Sequence, residues 1–105
     1  RPAADHRAAQ LKVPAIELHT GRYCHHPEEP THLAALKQAA LEAKALGLAV
    51  HAGHGLTLEN VGPVAAIPEC EELNIGHSIV SHAVFVGLAD AVKAMRAAMD
   101  AARPR

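Results

Sequence analysis

The stretch Leu48-Ala49-Val50-His51-Ala52-Gly53-His54-Gly55-Leu56 decides the fold of this chain. It begins with three apolar residues, which is typical of a short strand buried on both faces. Gly53 and Gly55 allow backbone angles that other residues resist, and they let a bound molecule approach the main chain closely. His54 lies between them, and imidazole gains or loses a proton near neutral pH. The stretch therefore predicts a strand followed by an active-site loop.

Two other stretches repeat this arrangement. Ala15–Thr20 is predicted to be a strand, and because side chains alternate along a strand, Glu17 and His19 share one face of it. These two residues form either a buried structural pair at the end of the sheet or part of the site. Leu73–Gly76 is predicted to be a third strand, followed directly by His77. The sequence thus predicts strands at about 15–20, 48–53 and 73–76.

Between these strands, apolar residues recur at the spacing of a helix. Thr31 is predicted to cap a helix over His32–Leu46 that stops at Gly47, and Thr57 to cap a helix that begins near Leu58. The remaining predicted elements are a loop over 22–30 and helices over 1–11, 60–67, 79–86 and 89–102, the last with Ala91, Val92, Met95 and Met99 on its buried stripe. Strands that alternate with helices predict parallel strands joined by crossovers, and hence an α/β fold.

Composition excludes several classes of partner. The chain has 105 residues, which suits a single domain over residues 1–105, and its net charge is −1, with 10 basic and 11 acidic residues. This charge balance gives no electrostatic footprint for nucleic acid or a membrane surface. No apolar run approaches the roughly 20 residues that span a bilayer. Cys24 and Cys70 are too few for a disulfide framework, which favours a cytoplasmic location.

The polar residues of the predicted strands gather at one end of the sheet, where chemistry resides in a (β/α) barrel. Gly76-His77-Ser78 leads into a helix whose N-terminal amides and dipole favour an anion. The Gly53–Gly55 loop can present further amides to the same anion, so the two loops predict one phosphate site beside His54. Three strands cannot close a barrel, so either an N-terminal portion is missing or another chain completes the sheet.

Three motifs in order carry a resemblance to a known family. They are Ile16-Glu17-Leu18-His19-Thr20-Gly21, Ala52-Gly53-His54-Gly55-Leu56-Thr57, and Ala65-Ala66-Ile67-Pro68 followed by Glu72-Leu73-Asn74-Ile75-Gly76-His77. The chain resembles the pyridoxine 5′-phosphate synthases of vitamin B6 biosynthesis from about Ala15 to Ala98. The resemblance implies the last three βα units of an eight-stranded TIM barrel. It also implies condensation of 1-deoxy-D-xylulose 5-phosphate with 3-amino-2-oxopropyl phosphate, which yields pyridoxine 5′-phosphate, phosphate and water.

The resemblance also implies roles for individual residues. His54 would be the proton donor, and Gly55, Gly76 and His77 would line the substrate-phosphate site. The residues expected to support this site are Glu17, His19, Thr20 and His51. No metal or cofactor is expected, and the complete protein is expected to be a homo-oligomer. The family's histidine base and catalytic glutamate lie on earlier strands that this chain lacks, so the 105-residue chain is expected to be inactive alone.

Two alternatives come from other functional classes. The first is a metal-dependent hydrolase built on a barrel, prompted by His19, His51, His54 and His77. A zinc site needs three or four such ligands, whereas the paired glycines suit a phosphate better. The second is a non-catalytic fragment whose exposed sheet edges pair with a partner. The other histidines of the first half, His25, His26 and His32, are expected to be exposed to solvent.

Overall fold

The computed structural model describes residues 14–103, so the helix predicted at Arg1–Leu11 lies outside the described residues. The elements are β1 (Ala15–His19), α1 (Gly21–His25), α2 (Pro30–Ala45), β2 (Ala49–Gly53), α3 (Val61–Ala65), β3 (Cys70–Asn74), α4 (His77–Val86) and α5 (Leu88–Ala102). The strands form a parallel sheet in the order β1-β2-β3. The predicted α/β arrangement of three parallel strands is confirmed.

The two faces of the sheet differ in chemistry because side chains alternate along each strand. On one face, Ile16 pairs with Val50 and Leu18 with Ala52, and all four belong to the apolar core. Helices α2 and α3 pack on the strands and α5 packs against α3, and the three helices contribute core residues such as Ala40, Val64 and Met95. The helices therefore pack on one face and leave the other face to polar side chains.

That polar face carries two cross-strand rows. Glu17 lies opposite His51, and His51 lies opposite Glu72. One step closer to the carboxyl ends of the strands, His19 and Asn74 flank Gly53. The row of His19, Gly53 and Asn74 therefore lies directly before the loops that follow β1, β2 and β3.

The third strand differs from its prediction. β3 spans Cys70–Asn74, so it begins three residues before the predicted start at Leu73 and ends two residues before Gly76. The acidic residues Glu71 and Glu72 are part of the strand. Cys70 is buried in the core opposite Val50, and Leu73 pairs with Ala52. The register shifts by one residue between Val50 and His51, so the alternation of β3 is interrupted and Cys70 and Leu73 both reach the core. Glu72 points to the polar face opposite His51, so its charge does not interrupt the apolar side of the strand.

The segment after β1 also differs, because the predicted loop over 22–30 contains the short helix α1. Tyr23 fixes this helix: its side chain is 3% exposed, and its hydroxyl donates a hydrogen bond of 2.6 Å to the Asn60 carbonyl oxygen. Helix α2 begins at Pro30, and Thr31 lies in its first turn and does not cap it. Proline suits the first position of a helix because it has no N–H group, and an N–H group at that position would have no partner within the helix.

The stop of α2 at Gly47 was predicted correctly. Gly47 follows α2 with a φ of 81°, and Gly87 separates α4 from α5 with a φ of 88°. The predicted buried stripe of α5 is correct for Ala91 and Met95, whereas Val92 is 48% exposed. Helix α4 has no buried residue, and Val84 and Phe85 are among its exposed apolar side chains.

Arg103 fastens the end of α5 to the start of β3. Its guanidinium donates hydrogen bonds of 2.5 Å to the Cys70 carbonyl and 2.6 Å to the Pro68 carbonyl. We expect Arg103→Ala to lower the free energy of unfolding by about 1 kcal/mol, because two partly exposed charge-assisted bonds are lost. Urea denaturation measures this loss. Arg96→Ala is the matched control, because its ion pair with Asp100 is exposed and worth at most about 0.5 kcal/mol; an equal loss in both variants would contradict the prediction.

Candidate active site

The loop after β2 has an unusual backbone. His54 and Gly55 adopt φ angles of 101° and 80°, and His54 is the only non-glycine residue with a positive φ among residues 14–103. Such a conformation costs a side-chained residue about 1–3 kcal/mol and is found mainly at functional sites. At Gly55 a Cβ would also lie 3.0 Å from the Cβ of Cys24. The loop thus holds an imidazole in a strained position next to a glycine.

Gly53 is required for a different reason from the one that the sequence indicated. Its φ lies outside the left-handed region, but a Cβ there would lie 2.7 Å from Glu17 Oε2 and 2.8 Å from the Asn74 carbonyl oxygen. No Cβ tolerates such distances from a backbone atom. Gly53 therefore lets β1 and β3 bring polar atoms together at the carboxyl end of β2.

Side chains from three elements contact consecutive carbonyls of this loop. Thr20 Oγ1 donates a hydrogen bond of 2.6 Å to the His54 carbonyl, and Asn60 Nδ2 donates one of 3.2 Å to the Gly55 carbonyl. Ser78 Oγ donates one of 2.7 Å to the Leu56 carbonyl. The His54 carbonyl also accepts a contact of 3.4 Å from the Cys24 thiol. The loop is thus tied to the end of β1, to the start of α3 and to the start of α4.

The predicted cap at Thr57 is wrong. Asn60 is the residue before α3, and its side-chain oxygen accepts a hydrogen bond of 2.7 Å from the Thr57 amide. The Thr57 carbonyl accepts the amides of Asn60 and Val61, and the helix begins at Val61. Thr57 therefore belongs to the turn that Asn60 closes.

His54 stacks on His19. Their ring centroids lie 4.3 Å apart and the ring planes differ by 27°. The Gly21 amide donates a hydrogen bond of 3.3 Å to His19 Nδ1, so this ring contacts both the start of α1 and His54. A Cβ on Gly21 would lie 2.6 Å from His19 Cε1 and 3.2 Å from His54 Cδ2, which explains the glycine there.

An open cleft of about 590 Å³ lies beside the stacked rings. It is lined by His19, Gly21, Arg22, His25, His26, His32 and His54. His25 and His26 are exposed, as predicted, whereas His32 is only partly exposed. The ionisable groups in this wall are all bases, so the cleft suits an anionic molecule.

Glu17 and His19 do not form the buried pair that was one of the two options for them. Both are exposed in β1, and His19 contacts His54 and Gly21. His51 is buried within β2, and its Nδ1 lies 3.8 Å from Glu72 Oε2. His51 does not line the cleft, and its supporting role stays a prediction.

The second predicted loop lies next to the first. Gly76 precedes α4, which begins at His77, and both residues are exposed. Within residues 14–103, no side chain makes a capping hydrogen bond at this helix start. The Ser78–Leu56 hydrogen bond joins this helix start to the His54 loop. The structure therefore brings Gly55, Gly76 and His77 to the same end of the sheet.

The histidines do not converge as a metal centre. Within residues 14–103, no three histidine, cysteine, aspartate or glutamate side chains are grouped as a metal ion requires. Of the four that prompted the hydrolase alternative, His19 and His54 stack on each other, whereas His51 faces Glu72 and His77 begins α4.

Three weakly acidic side chains that are buried or partly buried set a prediction for alkaline pH. Burial raises the pKa of the Tyr23 hydroxyl and of the Cys24 and Cys70 thiols. The unfolded chain therefore ionises first, so the free energy of unfolding is highest below the ordinary thiol pKa of about 8.5 and falls as the pH rises through the higher folded values. Urea denaturation between pH 7.5 and pH 10 measures this fall. Cys70→Ala is expected to reduce it, and an unchanged fall in that variant would contradict the prediction.

Sequence reasoning missed Asn60, Ser78 and Tyr23 as parts of this site. Asn60 was placed only as the start of a helix, and its contact with the Thr57 amide was not predicted. Tyr23 and Ser78 act over 37 and 22 residues of sequence, and no local pattern reveals such contacts.

Comparison with known proteins identifies the family. The family described as pyridoxal phosphate biosynthesis protein PdxJ matches residues 2–101. A pyridoxine 5′-phosphate synthase from Thioalkalivibrio sulfidiphilus is 51% identical over 97% of this chain and 44% of its own length. Those from Zymomonas mobilis and a Synechococcus species are 53% and 56% identical, over 92% and 88% of this chain.

The chain spans less than half the length of these relatives, 39% of the Zymomonas protein and 40% of the Synechococcus protein. None of the helices in residues 14–103 has the length and apolar character needed to cross a membrane. The matched residues include the three strands, the His54 loop and the start of α4. By this match, the chain belongs to the PdxJ family of pyridoxal phosphate biosynthesis proteins.

Proposed function

We propose that the protein containing this chain is a pyridoxine 5′-phosphate synthase, which condenses 1-deoxy-D-xylulose 5-phosphate with 3-amino-2-oxopropyl phosphate. In this proposal His54 is the proton donor, and Gly55, Gly76 and His77 bind a substrate phosphate. The observation that carries it is the strained His54–Gly55 loop, which the Ser78–Leu56 hydrogen bond joins to the start of α4.

The phosphate site is supported by the chemistry of the backbone. The first amides of α4 have no partner within the helix, and no side chain caps them. The dipole of this ten-residue helix adds partial positive charge at His77. Together with the Gly55 amide, these groups can surround phosphate oxygens without a cationic side chain.

The proton-donor role of His54 is supported by its position. Imine formation and dehydration require groups that give and take protons near neutral pH, and imidazole does this. His54 is exposed at the rim of the cleft, next to the proposed phosphate site. The stack on His19 limits the orientations of the ring, which supports a fixed direction of proton transfer. Glu17, His19, Thr20 and His51 support the site.

The complete architecture is also proposed. The sheet has its edges at β1 and β3, and apolar side chains such as Val84 and Phe85 of α4 are 78% and 86% exposed. Exposed edges and apolar patches of this kind are covered in stable proteins. We propose that further βα units complete an eight-stranded TIM barrel, which assembles as a homo-oligomer in the cytoplasm and requires no cofactor.

A chimera tests the function. The N-terminal part of the Thioalkalivibrio sulfidiphilus relative is joined to this chain in place of the matching region, and pyridoxine 5′-phosphate is measured from the two phosphorylated substrates. The proposal predicts product with the chimera and none with the isolated chain. The control is the chimera with His54→Ala, which should fold and remain inactive. A folded chimera without activity, or full activity after His54→Ala, would contradict the proposal.

A further inference from the structure

The carbonyl groups of His54, Gly55 and Leu56 are each bound by a side chain from a different part of the chain. The donors are Thr20 Oγ1 at 2.6 Å, Asn60 Nδ2 at 3.2 Å and Ser78 Oγ at 2.7 Å. Thr20 is fully buried and Asn60 is 8% exposed, so water does not compete freely for these bonds. Three consecutive carbonyls bound in this way leave the loop little freedom to change its shape.

These bonds determine where the loop's amides point. Residues 14–103 contain no cis peptide bond. In a trans peptide the carbonyl of one residue and the amide of the next point in opposite directions. The hydrogen bond from Thr20 to the His54 carbonyl therefore directs the Gly55 amide away from Thr20, and the bond from Asn60 to the Gly55 carbonyl directs the Leu56 amide away from Asn60.

Both amides remain available as donors. Among the hydrogen bonds of residues 14–103, none is donated by the Gly55 amide or the Leu56 amide. The backbone conformation that presents them is intrinsically unfavourable at His54, whose φ is 101°. The side-chain donors therefore have to hold a conformation that the loop would otherwise leave.

We propose that Thr20, Asn60 and Ser78 are positioning residues that hold the His54–Leu56 loop in its phosphate-binding shape. They act through the carbonyls of the loop and do not touch the substrate. This inference rests on the proposed function, because it assigns a purpose to the amides of the proposed phosphate site. It adds Asn60 and Ser78 to the residues on which that site depends, and it gives Thr20 a specific contact.

The expected effect follows from a shift of conformational populations. Apparent affinity falls in proportion to the fraction of molecules that hold the binding shape. Loss of one partly buried hydrogen bond to a strained loop is expected to reduce that fraction about tenfold. The loss should appear in phosphate affinity and in KM, whereas a purely structural role would lower only the stability of the fold.

The test uses the intact protein at its full natural length, with inorganic phosphate as the probe and calorimetric titration as the measurement. Thr20→Val keeps the shape of the side chain and removes the donor, and we expect it to weaken phosphate binding about tenfold. Thr20→Ser keeps the hydroxyl and should restore binding to within about twofold. Thr31→Val, an exposed change in α2, is the matched control and should bind as the wild type does.

A second set of variants keeps the test decisive if Thr20→Val fails to fold. Asn60→Asp keeps the oxygen that accepts the Thr57 amide and removes the donor to Gly55, and Ser78→Ala removes the donor to Leu56. Both should weaken phosphate binding, while Ser81→Ala on the exposed side of α4 should not. Folded Asn60→Asp and Ser78→Ala variants with wild-type phosphate affinity would overturn the inference.

The same measurements separate this inference from the proposed function. Phosphate binding that depends on the three side chains, in a protein that forms no pyridoxine 5′-phosphate, would support the positioning role and reject the reaction. Product formation with phosphate binding that is insensitive to all three side chains would reject the positioning role and leave the reaction intact.

Discussion

Replacing His54 with glycine is expected to remove the proposed synthase activity of the complete protein and yet give a more stable fold than replacing it with alanine. Both variants lose the imidazole, which should lower kcat by about 10²–10⁴-fold if it is the proton donor. Only alanine retains a Cβ at a φ of 101°, where a side chain is strained by about 1–3 kcal/mol. Glycine has no such strain, although its unfolded chain is more flexible.

Two measurements check this expectation. Steady-state kinetics of pyridoxine 5′-phosphate formation should give similar, very low kcat values for both variants. Urea denaturation should give a higher free energy of unfolding for His54→Gly than for His54→Ala, by roughly 1 kcal/mol after the entropy of glycine is counted. An alanine variant as stable as the glycine variant would show that His54 is not strained, and a kcat near the wild-type value would show that it is not the proton donor.

The second large effect is expected at Gly53. In Gly53→Ala the new methyl group would lie 2.7 Å from Glu17 Oε2 and 2.8 Å from the Asn74 carbonyl oxygen. The Glu17 side chain can move, but the Asn74 carbonyl is part of β3, so the strands have to separate. Overpacking of this kind costs about 1–3 kcal/mol, and the displacement occurs directly below the His54 loop. We therefore expect both stability and activity to fall.

Gly62→Ala is the matched control for Gly53→Ala. Gly62 lies in α3, and a Cβ there would meet only the Cβ of Ala102 at 3.7 Å, an ordinary contact. Alanine is the better helix former, so this variant should be as stable as the wild type or more stable by up to about 1 kcal/mol. Thermal unfolding compares the two variants, and a Gly53→Ala protein as stable as Gly62→Ala would contradict the account of the sheet end.

Local sequence patterns were sufficient for much of the fold. The apolar run before His51 indicates β2, and Gly47 and Gly87 mark the ends of helices. Alternation in β1 places Glu17 and His19 on one face, as the structure shows. These features depend on residues close together in sequence, and their physical causes, burial and backbone freedom, can be read from the residue types.

Other features depend on tertiary contacts. The third strand was predicted to begin only at Leu73, but Cys70 and Leu73 both contribute to the core on the face of β3 opposite Glu72. Helix α1 is only five residues long and depends on the bond from Tyr23 to Asn60, which lies 37 residues away.

The sequence indicated the loop around His54, but not the side chains that hold this loop in place. The glycines around His54 indicated a special backbone, but the positive φ of His54 itself does not follow from a histidine in the sequence. The Thr20 hydroxyl donates a hydrogen bond to the His54 carbonyl, 34 residues away in sequence. The Ser78 hydroxyl donates one to the Leu56 carbonyl, 22 residues away. Such contacts arise only when parallel strands bring their carboxyl ends together.

The central claim is that the amides of the His54 loop and of the start of α4 bind one phosphate beside the His54 ring. A crystal structure of the intact protein grown with inorganic phosphate tests this most directly. We expect phosphate oxygens about 2.7–3.2 Å from the Gly55 amide nitrogen and from the first amide nitrogens of α4. A well-ordered phosphate bound elsewhere, with these amides directed away from it, would contradict the account.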